Sequence, residues 1–232
     1  MTSRRQEIEH KLSAVRERVA RACERVGRTP SSVQILAVTK TFPPQDLELL
    51  AELGCTDVGE SRDQEARSKR QQLAVPLRWH MIGQIQRNKV RQIAAWADVV
   101  ESVDRIEIAD ALSTAAVQID KELEVLVQLS LDDEDGGQRG GVRPRDLMEL
   151  AARVTQLPHL SLGGLMAVAP REGGADAAFA QLEIAHAQVL SIAPGATTLS
   201  AGMSGDLEAA IAHGATQVRI GGALLGNRPP LK

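Results

Sequence analysis

A lysine at the end of a buried strand is the residue of this sequence best suited to covalent chemistry. Residues 33–41 form a short aliphatic and β-branched run with prolines on both sides, which is typical of a strand buried on both faces. Lys40 lies where this strand leaves the core, so its amine can point into a pocket. Burial lowers the pKa of a lysine amine, and the neutral amine is a nucleophile toward carbonyl groups. The alternative is a lysine whose stem covers apolar surface at the strand end.

Two glycine-containing turns near the end of the sequence are suited to binding a phosphate group. One follows the predicted seventh strand and reads SAGMSG, and the other follows the eighth strand and begins with two glycines. Small residues let backbone N–H groups approach an anion closely, and a helix N-terminus favours negative charge. In the alternative, Ser204 is an ordinary helix cap in a glycine-rich turn. The residues that we expect to contribute are Ser200, Gly202, Met203, Ser204, Gly221 and Gly222.

Arg219 lies in the predicted eighth strand, which is the neighbour of the first strand in a closed barrel. If its guanidinium points inward beside Lys40, charge repulsion keeps the lysine amine deprotonated. It also offers fixed donors to a heteroatom of a ligand. Alternation along the strand favours this orientation, because Val218 and Ile220 then face the helices. The alternative is an arginine on the outer face that pairs with a helix carboxylate.

An amine and a phosphate cradle at the same end of a barrel describe a site for a phosphorylated aldehyde. Two ligand classes fit, namely pyridoxal 5′-phosphate or a sugar phosphate bound by a class I aldolase. An aldolase usually has its lysine deeper in the strand order and needs a nearby carboxylate or tyrosine. The site chemistry therefore favours pyridoxal phosphate.

The elements that must position these residues alternate regularly between strands and helices. Eight strands are expected, at residues 33–41, 56–59, 77–83, 98–103, 124–129, 160–168, 197–200 and 217–220. Such alternation predicts a parallel sheet, and eight repeats in 232 residues fit a single-domain TIM (β/α)8 barrel. An open doubly wound sheet is the alternative, but it normally has a glycine-rich turn after its first strand. We expect one domain, residues 1–232, with residues 1–27 as an extra N-terminal helix packed on the barrel.

Composition narrows the classes of partner. The formal net charge is −3 without blocks of like charge, so neither a nucleic acid nor a membrane surface is an expected partner. No apolar stretch is long enough to span a bilayer, and the first residues are polar. Cys23 and Cys55 lack the spacing of a redox or metal motif, which indicates a reducing, cytoplasmic environment.

Two further features bear on catalysis. The sequence contains no tyrosine, which excludes any mechanism that needs a tyrosine acid or base. The five histidines lack ligand spacing, so we expect no metal site, and His80 in the middle of a strand is predicted to be structural.

An ordered set of motifs spans nearly the whole sequence after the first helix, and it resembles the pyridoxal phosphate homeostasis protein family. The motifs are AVTK ending at Lys40, GE at Gly59, WHMIGQIQRNK with Ile82, SVDR at Ser102, GLM at Gly164, SAGMSGD at Ser200 and VRIG at Val218.

The resemblance implies a barrel like the N-terminal domain of bacterial alanine racemase, with an internal aldimine at Lys40. It implies that phosphate is held around Ser200, Ser204 and the backbone near Gly221, and that Arg219 faces the pyridine nitrogen. It also implies cofactor contacts from the positions that Ser61 and Ile82 occupy.

The function that the resemblance implies is to hold pyridoxal phosphate and to buffer or supply it, without a dedicated turnover. PLP-dependent apoenzymes are the implied clients. The alternatives are a PLP-dependent racemase or other fold-type III enzyme, or a class I aldolase-like Schiff-base enzyme. The exposed helices lack a spare apolar stripe, so we expect a monomer.

Three positions depart from the family pattern. Ser61 stands where an asparagine is usual, so a side-chain amide near the ring is missing. Ala201 replaces a methionine, which removes packing. Arg139 is the closest match to a lysine in the loop after the fifth strand, and an arginine cannot form a Schiff base.

Racemase chemistry is disfavoured on three grounds. It needs a second base on the opposite face of the cofactor, and the related enzyme uses a tyrosine from a second domain for this. An arginine at the pyridine nitrogen keeps that nitrogen unprotonated, which weakens the ring as an electron sink. A lone barrel leaves the cofactor face open to water. A weak side activity on amino acids remains compatible with this reading.

Overall fold

Eight parallel strands close a barrel in the order in which they occur in the sequence, and β8 pairs with β1. The structure, a computed structural model, describes residues 3–132, 140–170 and 173–226 of the chain. Arg139 therefore lies outside the described residues. The strands are β1 (Gln34–Val38), β2 (Asp57–Glu60), β3 (Arg78–Met81), β4 (Val99–Val103), β5 (Leu123–Leu129), β6 (Leu160–Ala167), β7 (Thr198–Ser200) and β8 (Gln217–Ile220). The predicted (β/α)8 barrel is confirmed.

Helices cover the outside of the barrel. They are α1 (Arg4–Arg25), α2 (Pro44–Glu52), α3 (Asp63–Gln72), α4 (Val90–Trp96), α5 (Ile106–Gln118), α6 (Leu147–Thr155), α7 (Ala175–Ile192), α8 (Leu207–Ala212) and α9 (Gly222–Leu225). Short 3₁₀ helices occupy Pro30–Ser32, Arg87–Lys89 and Pro144–Asp146. None of the helices in the described ranges is long and apolar enough to cross a membrane.

The N-terminal helix α1 begins with a capping box formed by Ser3 and Gln6. The backbone N–H of Ser3 donates to the Gln6 side chain at 2.9 Å, and the backbone N–H of Gln6 donates to Ser3 Oγ at 3.2 Å. The apolar stripe of α1 is buried against α8, α9 and the outer faces of β1 and β8. The helix therefore covers the seam where the first and last strands meet.

Alternation along the strands separates an apolar outer layer from a largely polar interior. Val218 and Ile220 of β8 pack with α1, as predicted, and Ala37 of β1 does the same. The residues between them point into the barrel. This alternation decides which side chains of the last strand can reach the site.

Two local predictions were wrong. The predicted first strand extends to Thr41, but β1 ends at Val38, because the Phe42 N–H donates to the Thr39 carbonyl at 3.0 Å and closes a turn. The sequence places Asp104 just before α5, as a helix-capping residue would be, but the N-cap is Arg105, and the Asp104 carboxylate accepts from the Arg105 guanidinium.

Gly164 permits an unusually close approach of β6 to β7. Its φ is +148°, and a Cβ at this position would lie 1.8 Å from the Thr198 carbonyl oxygen. The adjacent β5–β6 pairing shifts register between Val125 and Leu126. The glycine pair inside this strand is thus explained by backbone packing.

Candidate functional site

Lys40 lies in a tight turn at the carboxyl end of β1. The turn runs from Thr39 to Phe42, and Lys40 is half-buried in it. Thr41, the next residue, has a φ of +73°. A left-handed conformation is rare for a β-branched residue, so the turn that carries the lysine is held by the surrounding structure.

A buried ammonium group lies directly beneath this turn. Lys69 Nζ of α3 donates to the Thr39 carbonyl at 2.8 Å, to Glu60 Oε1 at 2.8 Å and to Glu65 Oε1 at 2.6 Å. Glu65 Oε1 also accepts from the Thr41 N–H at 2.5 Å. Burial raises the pKa of the Glu60 carboxyl group, although Lys69 and Thr39 oppose that shift. Sequence reasoning placed Lys69 in a polar helix and missed its burial; its spacing from Glu65 was the available signal.

Arg219 points into the barrel, as predicted, and is buried. Its Nη1 donates to the Ser200 carbonyl at 2.7 Å, and its Nη2 donates to the Ala167 carbonyl at 2.8 Å. These partners belong to β7 and β6, and their carbonyls hold the guanidinium at the carboxyl ends of those strands. Its position beside Lys40 stays a prediction. Burial lowers the pKa of Arg219, and the charge of Glu101 opposes this.

Ser200 belongs to the barrel interior. Its hydroxyl donates to Glu101 Oε2 at 2.7 Å and accepts from Arg219 Nη1 at 2.8 Å. Gln217 Nε2 also donates to it at 2.9 Å. The hydroxyl is thus engaged inside the barrel, and a role of Ser200 in holding phosphate stays a prediction.

His80 links two carboxylates across the interior. Its ring nitrogens lie 3.1 Å from Asp57 Oδ1 and 2.7 Å from Glu101 Oε1. Burial alone would lower the pKa of His80, but the hydrogen bonds and charges of Asp57 and Glu101 raise it to about 9. Burial would raise the pKa of each carboxylate, but His80 brings both below their ordinary values, with Arg219 assisting at Glu101. His80 thus has a structural environment, as predicted.

The loop after β7 is shaped by Gly202. This residue is buried with a φ of +88°, and a Cβ there would lie 2.7 Å from Ala210 Cβ. Its carbonyl accepts from the Arg219 N–H at 2.9 Å, which ties the loop to β8. Met203 is exposed and Ser204 is half-buried. Ser204 is not the helix cap, because the N-cap of α8 is Asp206, whose carboxylate accepts from the Met203 N–H at 2.5 Å.

The loop after β8 lies against the end of β1. A Cβ at Gly221 would lie 3.4 Å from Val38 Cβ, two residues before Lys40. Gly222 is exposed at the start of α9. The second glycine turn and the lysine turn therefore share one edge of the barrel.

Ser61 and Ile82 follow β2 and β3 at the same end of the barrel. The Ile82 side chain lies over Gly59, where a Cβ would be 3.1 Å from Ile82 Cδ1. Ser61 packs against Gly83, where a Cβ would meet the Ser61 carbonyl oxygen at 2.4 Å. The absence of side chains at both glycines lets these two segments come together.

Comparison with known proteins gives the site a context. The sequence matches the family described as alanine racemase, N-terminal domain, over residues 10–229. It is 41% identical to a protein of Mycobacterium leprae and 39% identical to one of Escherichia coli, both named pyridoxal phosphate homeostasis protein. These alignments cover 96% of this chain in each case, and 93% and 97% of the relatives. The chain belongs to the pyridoxal phosphate homeostasis protein family.

Solved structures agree with this family assignment. PipY of Synechococcus elongatus, in the form with PLP bound, superposes with a TM-score of 0.82 at 32% identity and covers 94% of this chain and 100% of that one. Alanine racemase of Clostridium difficile gives 0.74 at 17% identity, covering 96% of this chain and 57% of that one. The second likeness shows the fold alone.

The site of this family member suits a phosphorylated aldehyde. It combines an amine in a constrained turn, a loop at Gly202 that a Cβ would fill, and an enclosed guanidinium. The Thr41 hydroxyl next to Lys40 in the sequence is buried, and within the described ranges it has no hydrogen-bond partner. The same ranges contain no group of three His, Cys, Asp or Glu side chains placed to hold a metal ion.

Proposed function

We propose that this chain binds pyridoxal 5′-phosphate covalently at Lys40 and buffers or supplies it to other proteins, without a dedicated catalytic turnover. The observation that carries the proposal is that the Gly221 loop lies against Val38, two residues before Lys40, while the Gly202 loop is bonded to the adjoining strand β8. The family supports it, since its relatives are named for pyridoxal phosphate homeostasis and PipY holds PLP.

Lys40 supplies the covalent link. Its neutral amine adds to the aldehyde carbon, water leaves, and a Schiff base joins the two. The reverse step, addition of water, returns the free aldehyde and the lysine amine. When bound, pyridoxal phosphate supplies an aldehyde that amines can take up and release. A reversible bond of this kind suits a protein that stores and delivers the compound.

The glycine loops hold the phosphate group in this proposal. Backbone N–H groups of Gly202, Ser204, Gly221 and Gly222 are the donors, together with the Ser204 hydroxyl. Met203 shields the loop from solvent. Ser200 acts indirectly, because its hydroxyl and carbonyl orient the Arg219 guanidinium.

Arg219 would lie near the pyridine nitrogen of the bound compound, where its positive charge would disfavour protonation of that nitrogen. Ser61 and Ile82 contact the ring from the ends of β2 and β3.

Three features support a binding protein over an enzyme. The sequence has no tyrosine to act as a second base. His80, Asp57 and Glu101 are buried in the barrel interior and bond to one another. A guanidinium at the pyridine nitrogen weakens the ring as an electron sink.

The setting in which the protein works is also part of the proposal. We propose that PLP-dependent apoenzymes are its clients, that it acts in the cytoplasm, and that residues 1–232 function as one monomeric domain. Cys23 and Cys55 are both free and buried, which accords with a reducing compartment.

Absorbance spectroscopy tests the central claim. The purified protein, incubated with pyridoxal phosphate, is expected to show the band of a protonated Schiff base. Borohydride should abolish the band and fix the pyridoxal group on the peptide containing Lys40. Lys40→Ala should show neither change, whereas Lys89→Ala, on the 3₁₀ helix after β3, should behave as wild type.

Two outcomes would overturn parts of the proposal. A wild-type protein that remains colourless and acquires no borohydride-fixed group would remove the covalent site. Sustained racemisation or transamination of an amino acid by the loaded protein, lost in Lys40→Ala, would replace the buffering function with an enzymatic one.

A further inference from the structure

We infer that Lys69, held by Glu60 and Glu65, is a positioning residue for Lys40: it fixes the backbone of the turn so that the Lys40 amine is presented to an aldehyde. The inference rests on the proposed covalent site and assigns a role to a buried lysine outside it. Lys69 is 5% exposed, although it lies on a helix of otherwise polar character.

The contacts of Lys69 and Glu65 reach both peptide units that flank Lys40. The Thr39 carbonyl belongs to the peptide unit before Lys40, and it accepts from Lys69 Nζ at 2.8 Å. The Thr41 N–H belongs to the peptide unit after Lys40, and it donates to Glu65 Oε1 at 2.5 Å. The 2.6 Å ion pair between Lys69 and Glu65 joins the two contacts. Both backbone connections of the reactive lysine are therefore bound to one ion pair.

The turn needs such support because of Thr41. A β-branched residue at a φ of +73° is in a conformation that the isolated chain disfavours. Without the contacts from α3, the turn would relax toward ordinary backbone angles. Relaxation would swing the Lys40 side chain, because the two peptide units set its direction.

The ammonium group matches this role in its chemistry. An ammonium nitrogen has three N–H donors, and Lys69 has three acceptors, namely the Thr39 carbonyl, Glu60 Oε1 and Glu65 Oε1. Glu60 is completely buried and also accepts from the Thr39 hydroxyl at 2.6 Å. The geometry is thus fixed from three sides, unlike that of an ordinary exposed Glu–Lys pair on a helix.

An open groove adjoins the far side of this ion pair. It has a volume of about 790 Å³, and Thr41, Phe42, Arg62, Glu65 and Lys69 are among its lining residues. Loss of the ammonium group would admit water from the groove to the Thr39 carbonyl. Packing of neighbouring side chains could not then replace the hydrogen bond that Lys69 donates to the Thr39 carbonyl.

The rate of covalent capture tests the inference. Lys69→Met is expected to slow the formation of the borohydride-reducible adduct at saturating pyridoxal phosphate by roughly tenfold or more, because the reacting amine is misplaced. Lys69→Arg, which keeps the charge, should retain most of the rate. Thr41→Gly relieves the backbone strain, so adding it to Lys69→Met should restore much of the lost rate.

Lys121→Met is the matched control. Lys121 is also a partly buried lysine, and it donates to the Ala94 carbonyl at 3.1 Å and to the Ala97 carbonyl, at the amino-terminal side of β4. Replacement of Lys121 should lower the free energy of unfolding without slowing formation of the borohydride-reducible adduct. Capture that is equally slow in Lys121→Met and Lys69→Met would attribute the effect to general destabilisation and overturn the inference.

A second measurement is independent of pyridoxal phosphate. Hydrogen exchange at the Thr41 amide should be faster in Lys69→Met than in wild type and unchanged in Lys121→Met. An unchanged exchange rate in Lys69→Met would overturn the inference even if capture were slowed. Failure of the proposed function would differ, since the wild type itself would then form no adduct.

Discussion

Four ionised side chains lie inside the barrel, where parallel barrels usually hold layers of branched aliphatic residues. Asp57 and Glu101 carry negative charge, and His80 and Arg219 carry positive charge, so the interior is balanced. Each group has a charged or polar partner within 3.1 Å. Buried charges are tolerated when they are paired in this way, but removal of one partner is costly.

The charge of His80 makes the stability of the protein depend on pH. Its pKa rises from 6.5 to about 9 on folding. A group whose pKa is raised on folding contributes stability fully below its unfolded pKa and loses that contribution as pH rises through the folded value. The free energy of unfolding is therefore expected to fall by up to about 3 kcal/mol as the pH is raised from about 6.5 to 9.

Urea unfolding at a series of pH values measures this effect. Asp57 and Glu101 have lowered pKa values, so they remain ionised and contribute no slope in this range. His80→Gln should remove most of the dependence of the unfolding free energy on pH. His213→Gln, which alters a histidine near the surface, should leave most of that dependence in place. A wild-type profile that is already flat between these pH values would contradict the assignment of a charged His80.

Gly202 offers a second residue-scale prediction. Gly202→Ala should lower the free energy of unfolding by about 1–3 kcal/mol, because the new methyl group meets Ala210 and the left-handed backbone disfavours a side chain. Gly205→Ala is the control, since a Cβ there would meet nothing within 4 Å. Thermal unfolding of both variants decides the matter, and equal losses would show that the loop tolerates a side chain at Gly202.

At the scale of the elements, helix α1 forms hydrogen bonds to the segments that follow β7 and β8. Arg18 donates to the Ser204 carbonyl at 3.0 Å and forms a bidentate pair with Glu208. Arg4 donates to the Leu225 carbonyl at 3.0 Å and pairs with Asp46. The helix outside the barrel thus anchors both glycine loops.

Removal of one of these ties should weaken binding of the phosphate group. Arg18→Met is expected to raise the dissociation constant for pyridoxal phosphate several-fold, because a charge-assisted hydrogen bond to the loop is lost. Arg16→Met is the matched control, since Arg16 lies on the same helix and donates to the Leu53 carbonyl instead. Equilibrium absorbance titration measures both; unchanged affinity in Arg18→Met would separate α1 from the binding loops.

Most strands and helices could be predicted from the periodicity of apolar residues in the sequence, and those predicted with wrong bounds have physical causes. Strand β8 was predicted with its observed bounds, because its residues alternate between polar and apolar and a pair of glycines follows them. Strand β1 was predicted too long, since Thr39 and Thr41 favour extended backbone. The backbone hydrogen bond from Phe42 to Thr39 closes the turn there, and contacts from Lys69 and Glu65 on α3 support it.

At the scale of the whole molecule, closure of the barrel creates the contacts that sequence reasoning could not reach. Lys40 and Arg219 could be placed by strand order and alternation. The bonds from Glu101 of β4 to Ser200 of β7 and Gln217 of β8 cross the interior, and no local pattern encodes them. Alternation would have placed these polar residues inside, but an apolar interior is the usual expectation for a barrel.

The seam between β1 and β8 depends on α1, and this gives a prediction for the whole fold. Deletion of residues 1–27 removes the buried side chains of Ile8, Leu12, Val15 and Val19. Each contributes roughly 1.5–3 kcal/mol, and the sum is comparable with the total stability of a typical domain. The truncated chain should lack a cooperative unfolding transition.

Fluorescence of Trp79 and Trp96, which are both buried in the full chain, monitors this loss. Glu17→Ala on the exposed face of α1 is the control and should unfold as wild type does. A truncated protein with a full, sharp transition would show that the barrel is closed without the helix.

The pairing of β1 with β8 also has a consequence during synthesis on the ribosome. Lys40 and Arg219 belong to neighbouring strands of the barrel but lie at opposite ends of the sequence. At ordinary translation speeds, the second residue is made on the order of ten seconds after the first. Throughout that time the turn that carries Lys40 lacks the neighbouring strand β8 and the glycine loops that follow β7 and β8. In the proposed function, a nascent chain therefore lacks the complete site, and only finished molecules are expected to bind the aldehyde.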